Sequence, residues 1–210
     1  MSFELLNEIN TNYHLATQVH ADLANVFFFC GLDGYGLWHE YQRFEEAMAQ
    51  RRLKRYITST YGMFAPDELP KTANIAEPLL KGKDRKSLQM QDVRQIVKTC
   101  FDVYCDFEEG NLRMYQEIAC KIFENGDVST FNYVGEIIKD VKEELTFLND
   151  KKVELCAHDY DMPQIAAEQD TYFERYSHLI GRMFFDRKMD DLHHKNSAKD
   201  ISTKITDSPV

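Results

Sequence analysis

Three glutamates, Glu46, Glu108 and Glu144, lie at or beside the apolar stripes of three predicted helices. A carboxylate that faces a dry core without a partner costs free energy. If the helices close into a bundle, the three acids converge, and hard oxygen ligands at one point suit Fe, Mn, Mg or Ca ions. The alternative is that the acids reach solvent or pair with Lys and Arg, which is the commoner behaviour of charged side chains. The pattern therefore defines a candidate cation site.

One residue that would complete such a site is missing. Helical bundles that bind two irons usually carry Glu-x-x-His, because residues three apart share one helix face. The third residue after Glu46 is Ala49, whose methyl group cannot bind a metal. Asp140 lies one turn before Glu144, and Asn111 lies within the stripe of the third helix. We therefore predict a cation site that lacks part of its ligand set.

Helical periodicity recurs in four long segments, and a fifth helix is expected beyond Pro163, so we predict an all-α fold. The predicted helices cover about 4–30, 37–61, 87–124, 128–157 and 164–185. Apolar spacings that alternate between three and four are typical of antiparallel bundle helices. The proline-containing segment from about 61 to 86 is long enough to cross the length of a bundle. We expect a four-helix bundle with this crossover and an additional C-terminal helix in residues 1–186, followed by a disordered tail, 187–210.

Composition limits the functional classes. The chain has 210 residues, of which 43% are hydrophobic, enough for one domain. A net charge of −10 argues against nucleic-acid binding, which needs a basic surface, and suits a protein that attracts cations. Five cysteines without a C-x-x-C pair indicate reduced thiols, and no apolar stretch is long enough to cross a membrane. The expected location is cytoplasmic.

Several segments together indicate a family. They are Leu6-Asn7-Glu8, Gly31-Leu32-Asp33-Gly34 followed by Trp38 and Glu45-Glu46, and Asp127 to Tyr133 followed by Glu143-Glu144-Leu145. In these segments the chain resembles bacterial-type non-haem ferritins, in helices A, B and D and the turns before helices B and D. The resemblance implies a four-helix bundle with a long B–C crossover. It also implies self-assembly, with 24 identical subunits forming a cage that stores iron.

The resemblance also assigns residues to the ferroxidase centre. Glu46, Glu108 and Glu144 match ligands of that centre. Ligands of the family are replaced at three positions, by Tyr13, Ala49 and Val141. The resemblance therefore implies one mononuclear iron site, with weak or atypical ferroxidase activity.

Two other metal features of the family lead to opposite expectations. An accessory iron site on the inner surface is matched by Glu45, Asp140, Glu143 and Glu144. Haem-binding ferritins carry a methionine directly after the helix B glutamate, where this chain has Ala47, so no haem is expected.

His20 replaces the tyrosine that the family carries on helix A near the centre. One interpretation is a core histidine that is hydrogen-bonded to Tyr13 or Asn111. The other is an extra metal ligand, which would supply the nitrogen that Ala49 lacks. Two functions lead: iron binding and storage with an acidic inner surface that nucleates mineral, or a non-catalytic scaffold or cargo-sheltering cage subunit. A third is a small ferritin-like enzyme or DNA-protecting oligomer, and the acidic charge argues against DNA.

Overall fold

The computed structural model describes residues 2–66 and 74–193, with side chains as far as residue 181. The helices are α1 (Ser2–Phe29), α2 (Asp33–Tyr61), α3 (Ala76–Leu80), α4 (Met90–Glu124), α5 (Val128–Ala157) and α6 (Met162–His193), with a 3-10 turn at Arg85–Ser87. The described residues contain no strand. None of these helices is long and apolar enough to cross a membrane.

Helices α1, α2, α4 and α5 form the bundle, which confirms the predicted all-α architecture. Helix α1 packs along α2, and α4 packs along α5. The pair α1 and α2 is antiparallel, since Gln50 near the middle of α2 donates to the carbonyl of Asn10, whereas His39 near its start meets His20. The crossover between α2 and α4 is long, and the backbone N–H of Ile75 donates to Asp22 of α1 at 2.9 Å.

Three boundaries differ from the predicted ones. Helix α2 begins at Asp33 and not near 37, because Gly31, at φ 75°, ends α1 and reverses the chain within two residues. Helix α4 begins at Met90, where Gln89 and Asp92 form a capping box. Helix α6 continues to His193, so the predicted tail starts inside a helix, and its remainder, 194–210, lies outside the described residues.

Helix α6 is fixed against the first turns of α2. Tyr172 of α6 stacks on Trp38 at a centroid distance of 5.1 Å. Glu168, which is 7% exposed, accepts hydrogen bonds from the hydroxyl of Tyr35 of α2 at 3.0 Å and from the hydroxyl of Tyr172 in its own helix at 3.3 Å. The backbones meet at Gly34, where an added Cβ would lie 1.7 Å from the backbone oxygen of Gln169. A side chain at this position is therefore incompatible with the packing of α6.

Gly34→Ala is expected to destabilise the fold by at least about 1–3 kcal/mol, the usual cost of overpacking, because the obstacle is backbone and cannot rotate away. Gly135→Ala is the matched control: this glycine is also helical, and a Cβ there would meet nothing within 4 Å. The control should gain up to about 1 kcal/mol from better helix propensity. Urea unfolding of both variants measures the difference, and equal effects would contradict the described α2–α6 contact.

Candidate metal centre

The bundle brings together Glu46 of α2, Glu108 of α4 and Glu144 of α5. The negative charges of Glu46 and Glu144 both raise the pKa of Glu108, and the charge of Glu144 raises the pKa of Glu46. Glu108 is only 2% exposed. The three acids predicted to converge are therefore neighbours in the interior of the bundle.

Burial changes the protonation of these acids. It is the main cause that raises the pKa of Glu46 to about 8, with Glu144 and Glu45 adding to it and Arg52 opposing it. Burial also raises the pKa of Glu108 well above its usual range and raises that of Glu144. Without a cation, the cluster therefore retains protons at neutral pH, because like charges in a poorly solvated place cannot all ionise.

Hydrogen bonds hold two of the three carboxyl groups. Oε1 of Glu144 accepts from the Tyr104 hydroxyl and from Nε2 of Gln42, the latter at 2.5 Å. Oε2 of Glu108 accepts from Nδ2 of Asn111 at 3.1 Å, while its Oε1 is buried and has no hydrogen-bond partner. A buried, unpaired carboxylate oxygen is a costly feature that a bound cation would relieve. The donor set thus fits a hard or borderline metal ion.

The described part of the chain contains no group of three His, Cys, Asp or Glu side chains already arranged to hold a metal ion. The three glutamates are neighbours, but their oxygens do not converge on one point. A cation would have to draw the carboxylates inward, which is what opposite charge favours once the protons leave.

A cavity of about 480 Å³ between α2 and α5 leads to this cluster. Its lining includes Glu46 and Glu144 and the exposed acids Glu45, Asp140 and Glu143. The residues predicted as the accessory acidic surface therefore line the approach to the buried acids. Two basic residues, Arg52 and Arg175, also line the cavity, and no sequence pattern had pointed to them.

The three replaced ligand positions lie in the same cavity. Tyr13, Ala49 and Val141 all contribute to its lining. Tyr13 is 8% exposed, and burial together with the charge of Glu46 raises the pKa of its phenol. It therefore stays protonated, is a poor metal ligand, and fills space that a shorter acid would leave open.

His20 is completely buried, as expected of a core histidine, but its partner is neither Tyr13 nor Asn111, so the predicted hydrogen bond was wrong. Its Nδ1 lies 3.0 Å from Nδ1 of His39, and its Nε2 has no hydrogen-bond partner. Asn111 is instead engaged by Glu108 and Asn12. His20 and His39 meet because α1 and α2 run antiparallel, which places the two rings at the same height along the bundle axis.

Three neighbours of the candidate site were not predicted from the sequence, although helix spacing could have indicated them. Gln42 and His39 lie four and seven residues before Glu46, and Tyr104 lies four residues before Glu108. Residues at these spacings share a helix face. Periodicity alone does not say that they point at the acids, because that depends on how the helices are rotated in the bundle.

Comparison with solved structures identifies the fold. A humanized archaeal ferritin aligns with a TM-score of 0.64 at 16% identity, covering 81% of this chain and 94% of that chain. An open-pore ferritin from the hyperthermophilic archaeon Archaeoglobus fulgidus aligns with a TM-score of 0.65 at 17% identity, covering 81% and 93%. An iron-soaked variant of PmFTN aligns with a TM-score of 0.62 at 12% identity, covering 80% and 96%.

Neither a protein-family model nor a curated protein sequence matches this chain. The structural matches cover about four fifths of this chain and more than nine tenths of each matched chain. The chain therefore has a ferritin-like fold.

Proposed function

We propose that the protein binds and stores iron in a ferritin-like cage, with Glu46, Glu108 and Glu144 as its buried cation centre. The observation that carries the proposal is the unpaired Oε1 of Glu108 among acids that raise one another's pKa. Such a cluster destabilises a metal-free fold, and a bound cation reverses that penalty. The solved structures with the same fold include a humanized archaeal ferritin and the Archaeoglobus fulgidus ferritin, and the PmFTN variant was soaked in iron.

Iron oxidation at this centre is proposed to be slow or atypical. Paired-iron chemistry needs two metals about 3.5–4 Å apart that share ligands. Beside Glu46, the positions of Tyr13 and Ala49 offer no ligand for a second iron. The centre is therefore proposed to be mononuclear, and iron is its substrate and cargo.

The exposed acids that line the cavity, Glu45, Asp140 and Glu143, are proposed to collect iron and to nucleate mineral. Replacing Glu45, Asp140 and Glu143 together by Ala should reduce the iron retained per assembled particle, because exposed acids raise the local cation concentration. Assembly should be unaffected, since exposed charges contribute little to stability. Iron content after anaerobic loading and air oxidation is the measurement. A matched triple change of exposed Glu109, Glu117 and Glu124 of α4 to Ala controls for lost net charge, and equal iron content in the two variants would remove the nucleating role.

The missing ligands favour one alternative, a non-catalytic scaffold or cargo-sheltering cage subunit. Adding Fe²⁺ without oxygen, then admitting oxygen, separates the two functions. A storage protein binds Fe²⁺, consumes oxygen and retains ferric iron after gel filtration, even if slowly. A scaffold subunit binds no more Fe²⁺ than is found in a control without protein. Light scattering on the same samples tests the cage, for which 24 subunits are proposed, and only monomers or dimers would end that part of the proposal.

Metal binding is expected to release protons. At pH 7 Glu46 is mostly protonated, since its pKa is raised to about 8, and Glu108 is raised in the same direction. Binding of a divalent ion should therefore release roughly one to two protons, and affinity should rise with pH until about pH 8. Titration calorimetry in buffers of different ionisation enthalpy counts the protons. A release near zero at pH 7 would mean that the ion binds elsewhere.

A further inference from the structure

Beside the carboxylate centre lies a buried histidine pair that the proposed function has not used. His20 of α1 and His39 of α2 are 0% and 2% exposed, and their Nδ1 atoms lie 3.0 Å apart. Aromatic rings surround the pair: Phe27 stacks on His39 at 5.3 Å, and Tyr104 meets the ring of His20 edge-on at 5.0 Å. Burial lowers the pKa of both histidines, so both are neutral near pH 7.

Two neutral rings joined through their Nδ1 atoms share one hydrogen. One ring must donate from Nδ1 and carry a free lone pair on Nε2, and the other has the opposite arrangement. If His20 accepts, its Nε2–H is a buried donor without a partner. If His20 donates, its Nε2 is a buried acceptor without a partner, and unpaired acceptors are better tolerated than unpaired N–H groups. The second arrangement is favoured, and it leaves a lone pair available.

The free nitrogen of His20 and the free oxygen of Glu108 belong to residues that both neighbour Tyr104. The ring of His20 contacts the ring of Tyr104, whose hydroxyl donates to Glu144. Glu108 follows Tyr104 by one turn of α4, on the same face. These are two of the buried unpartnered side-chain atoms in the described part of the chain, and both are ligand atoms for metals.

We infer that His20 is a nitrogen ligand of the cation centre, binding through Nε2, and that His39 positions it by accepting a hydrogen bond from Nδ1. The inference rests on the proposed function, in which the glutamates bind the cation. Metal-bound histidines usually donate their other N–H to an acceptor that fixes the ring and its tautomer. Because the His20 lone pair is free, its coordination releases no proton.

A nitrogen ligand changes which metals the centre prefers. Carboxylates alone suit Mg²⁺ and Ca²⁺, whereas imidazole together with carboxylates favours Fe²⁺, Zn²⁺ and related transition ions. The histidine pair would therefore select the substrate class, first-row transition metals over the abundant hard cations. A purely structural pair would stabilise the α1–α2 contact without any metal preference.

The direct test uses the unmodified protein with oxovanadium(IV), a cation whose pulsed-EPR spectrum shows a directly bound imidazole nitrogen. We expect that nitrogen signal in the wild type, its loss in His20→Gln and its retention in His14→Gln, a partly exposed control on the same helix. Oxovanadium bound in a Glu108-dependent manner without the nitrogen signal would overturn the role of His20 alone. Binding that ignores Glu108→Gln would instead remove the proposed centre, and the ligand with it.

Selectivity provides the second readout. His20→Gln should weaken Fe²⁺ or Zn²⁺ binding by at least about 10- to 100-fold, because changing a group that only supports a metal ligand already costs that much, and the change for Mg²⁺ should be much smaller. His39→Leu should weaken Fe²⁺ binding less and keep the nitrogen signal, because it removes only the positioning hydrogen bond. Equal losses for Fe²⁺ and Mg²⁺ in His20→Gln would show a structural role and contradict the inference.

Discussion

Tyr13→Glu together with Ala49→His is expected to accelerate iron oxidation by an order of magnitude or more, because changes in the ligand environment alone shift metal binding by about 10–100-fold. Both residues line the cavity beside Glu46, so the new side chains would face a carboxylate able to bridge two metals. Each single change should do less, since it leaves the second metal short of a ligand. Stopped-flow absorbance after Fe²⁺ addition is the measurement.

Packing decides whether the double variant folds. Histidine at position 49 adds volume, and overpacking costs about 1–3 kcal/mol. Glutamate at position 13 is smaller than the Tyr13 ring, which is 8% exposed, so it makes room in the same cavity. Tyr13→Leu with Ala49→Leu is the matched control, with similar packing and no ligands. If the folded double variant oxidises iron as slowly as this control, then another residue, such as Val141 or His20, limits the chemistry.

The metal-free protein is expected to be most stable between about pH 4.5 and 6.5 and to lose several kcal/mol of unfolding free energy on each side of that range. On the acid side the cause is His20, whose pKa is lowered from 6.5 to about 3 by burial. Below pH 6.5 His20 is protonated in the unfolded chain but stays neutral in the folded chain. The free energy of unfolding therefore falls as the pH decreases from about 6.5 to about 3. A shift of that size corresponds to about 4–5 kcal/mol, and His39 acts in the same direction.

On the alkaline side the buried acids have the opposite sign. The pKa of Glu46 is raised from 4.5 to about 8, so the unfolded chain loses its proton above pH 4.5 while the folded chain retains it. Stability therefore falls as pH rises from about 4.5 to 8, and Glu108 acts in the same direction. Between about pH 4.5 and 6.5 the two groups oppose each other, which places the maximum there.

Urea unfolding across this pH range, with a chelator present, tests both effects. His20→Phe should reduce the loss of stability below the maximum (the acid limb), and Glu108→Gln should reduce the loss above it (the alkaline limb). His178→Gln, a change at an exposed histidine of α6, should leave both unchanged. An acid limb that is identical in His20→Phe and the parent would contradict the burial of a neutral imidazole in the folded state.

The bundle could be predicted from the sequence because its signal is local. Stripes such as Val134, Val141 and Leu148 repeat at helical spacing and must face a core. Glu46, Glu108 and Glu144 stood out because acids beside such stripes break the pattern. In the structure the charges of Glu46 and Glu144 act on Glu108, so the three acids lie near one another, but their oxygens do not converge on one point and their role as metal ligands stays a prediction.

The rest depends on how the helices are rotated and where α6 packs, which no local pattern specifies. The pairing of His20 with His39 follows from the level at which α1 and α2 cross. The contact of Gly34 with Gln169 joins segments 135 residues apart, and it places Arg175 in the cleft. The end of α6 was also beyond prediction, because charged residues such as Asp186 and Arg187 do not by themselves end a helix.

The most direct test of the buried centre is an anaerobic Fe²⁺ titration of the wild type and of Glu108→Gln. Glutamine keeps the shape of the side chain and its contact with Asn111, and it removes an ionisable group whose burial is unfavourable. The metal-free variant should therefore be at least as stable as the parent, so lost binding cannot be blamed on unfolding. The wild type should bind one tight Fe²⁺ per subunit within the bundle, and the variant should lose it. Tight binding that is equal in both proteins would contradict a centre built on Glu46, Glu108 and Glu144.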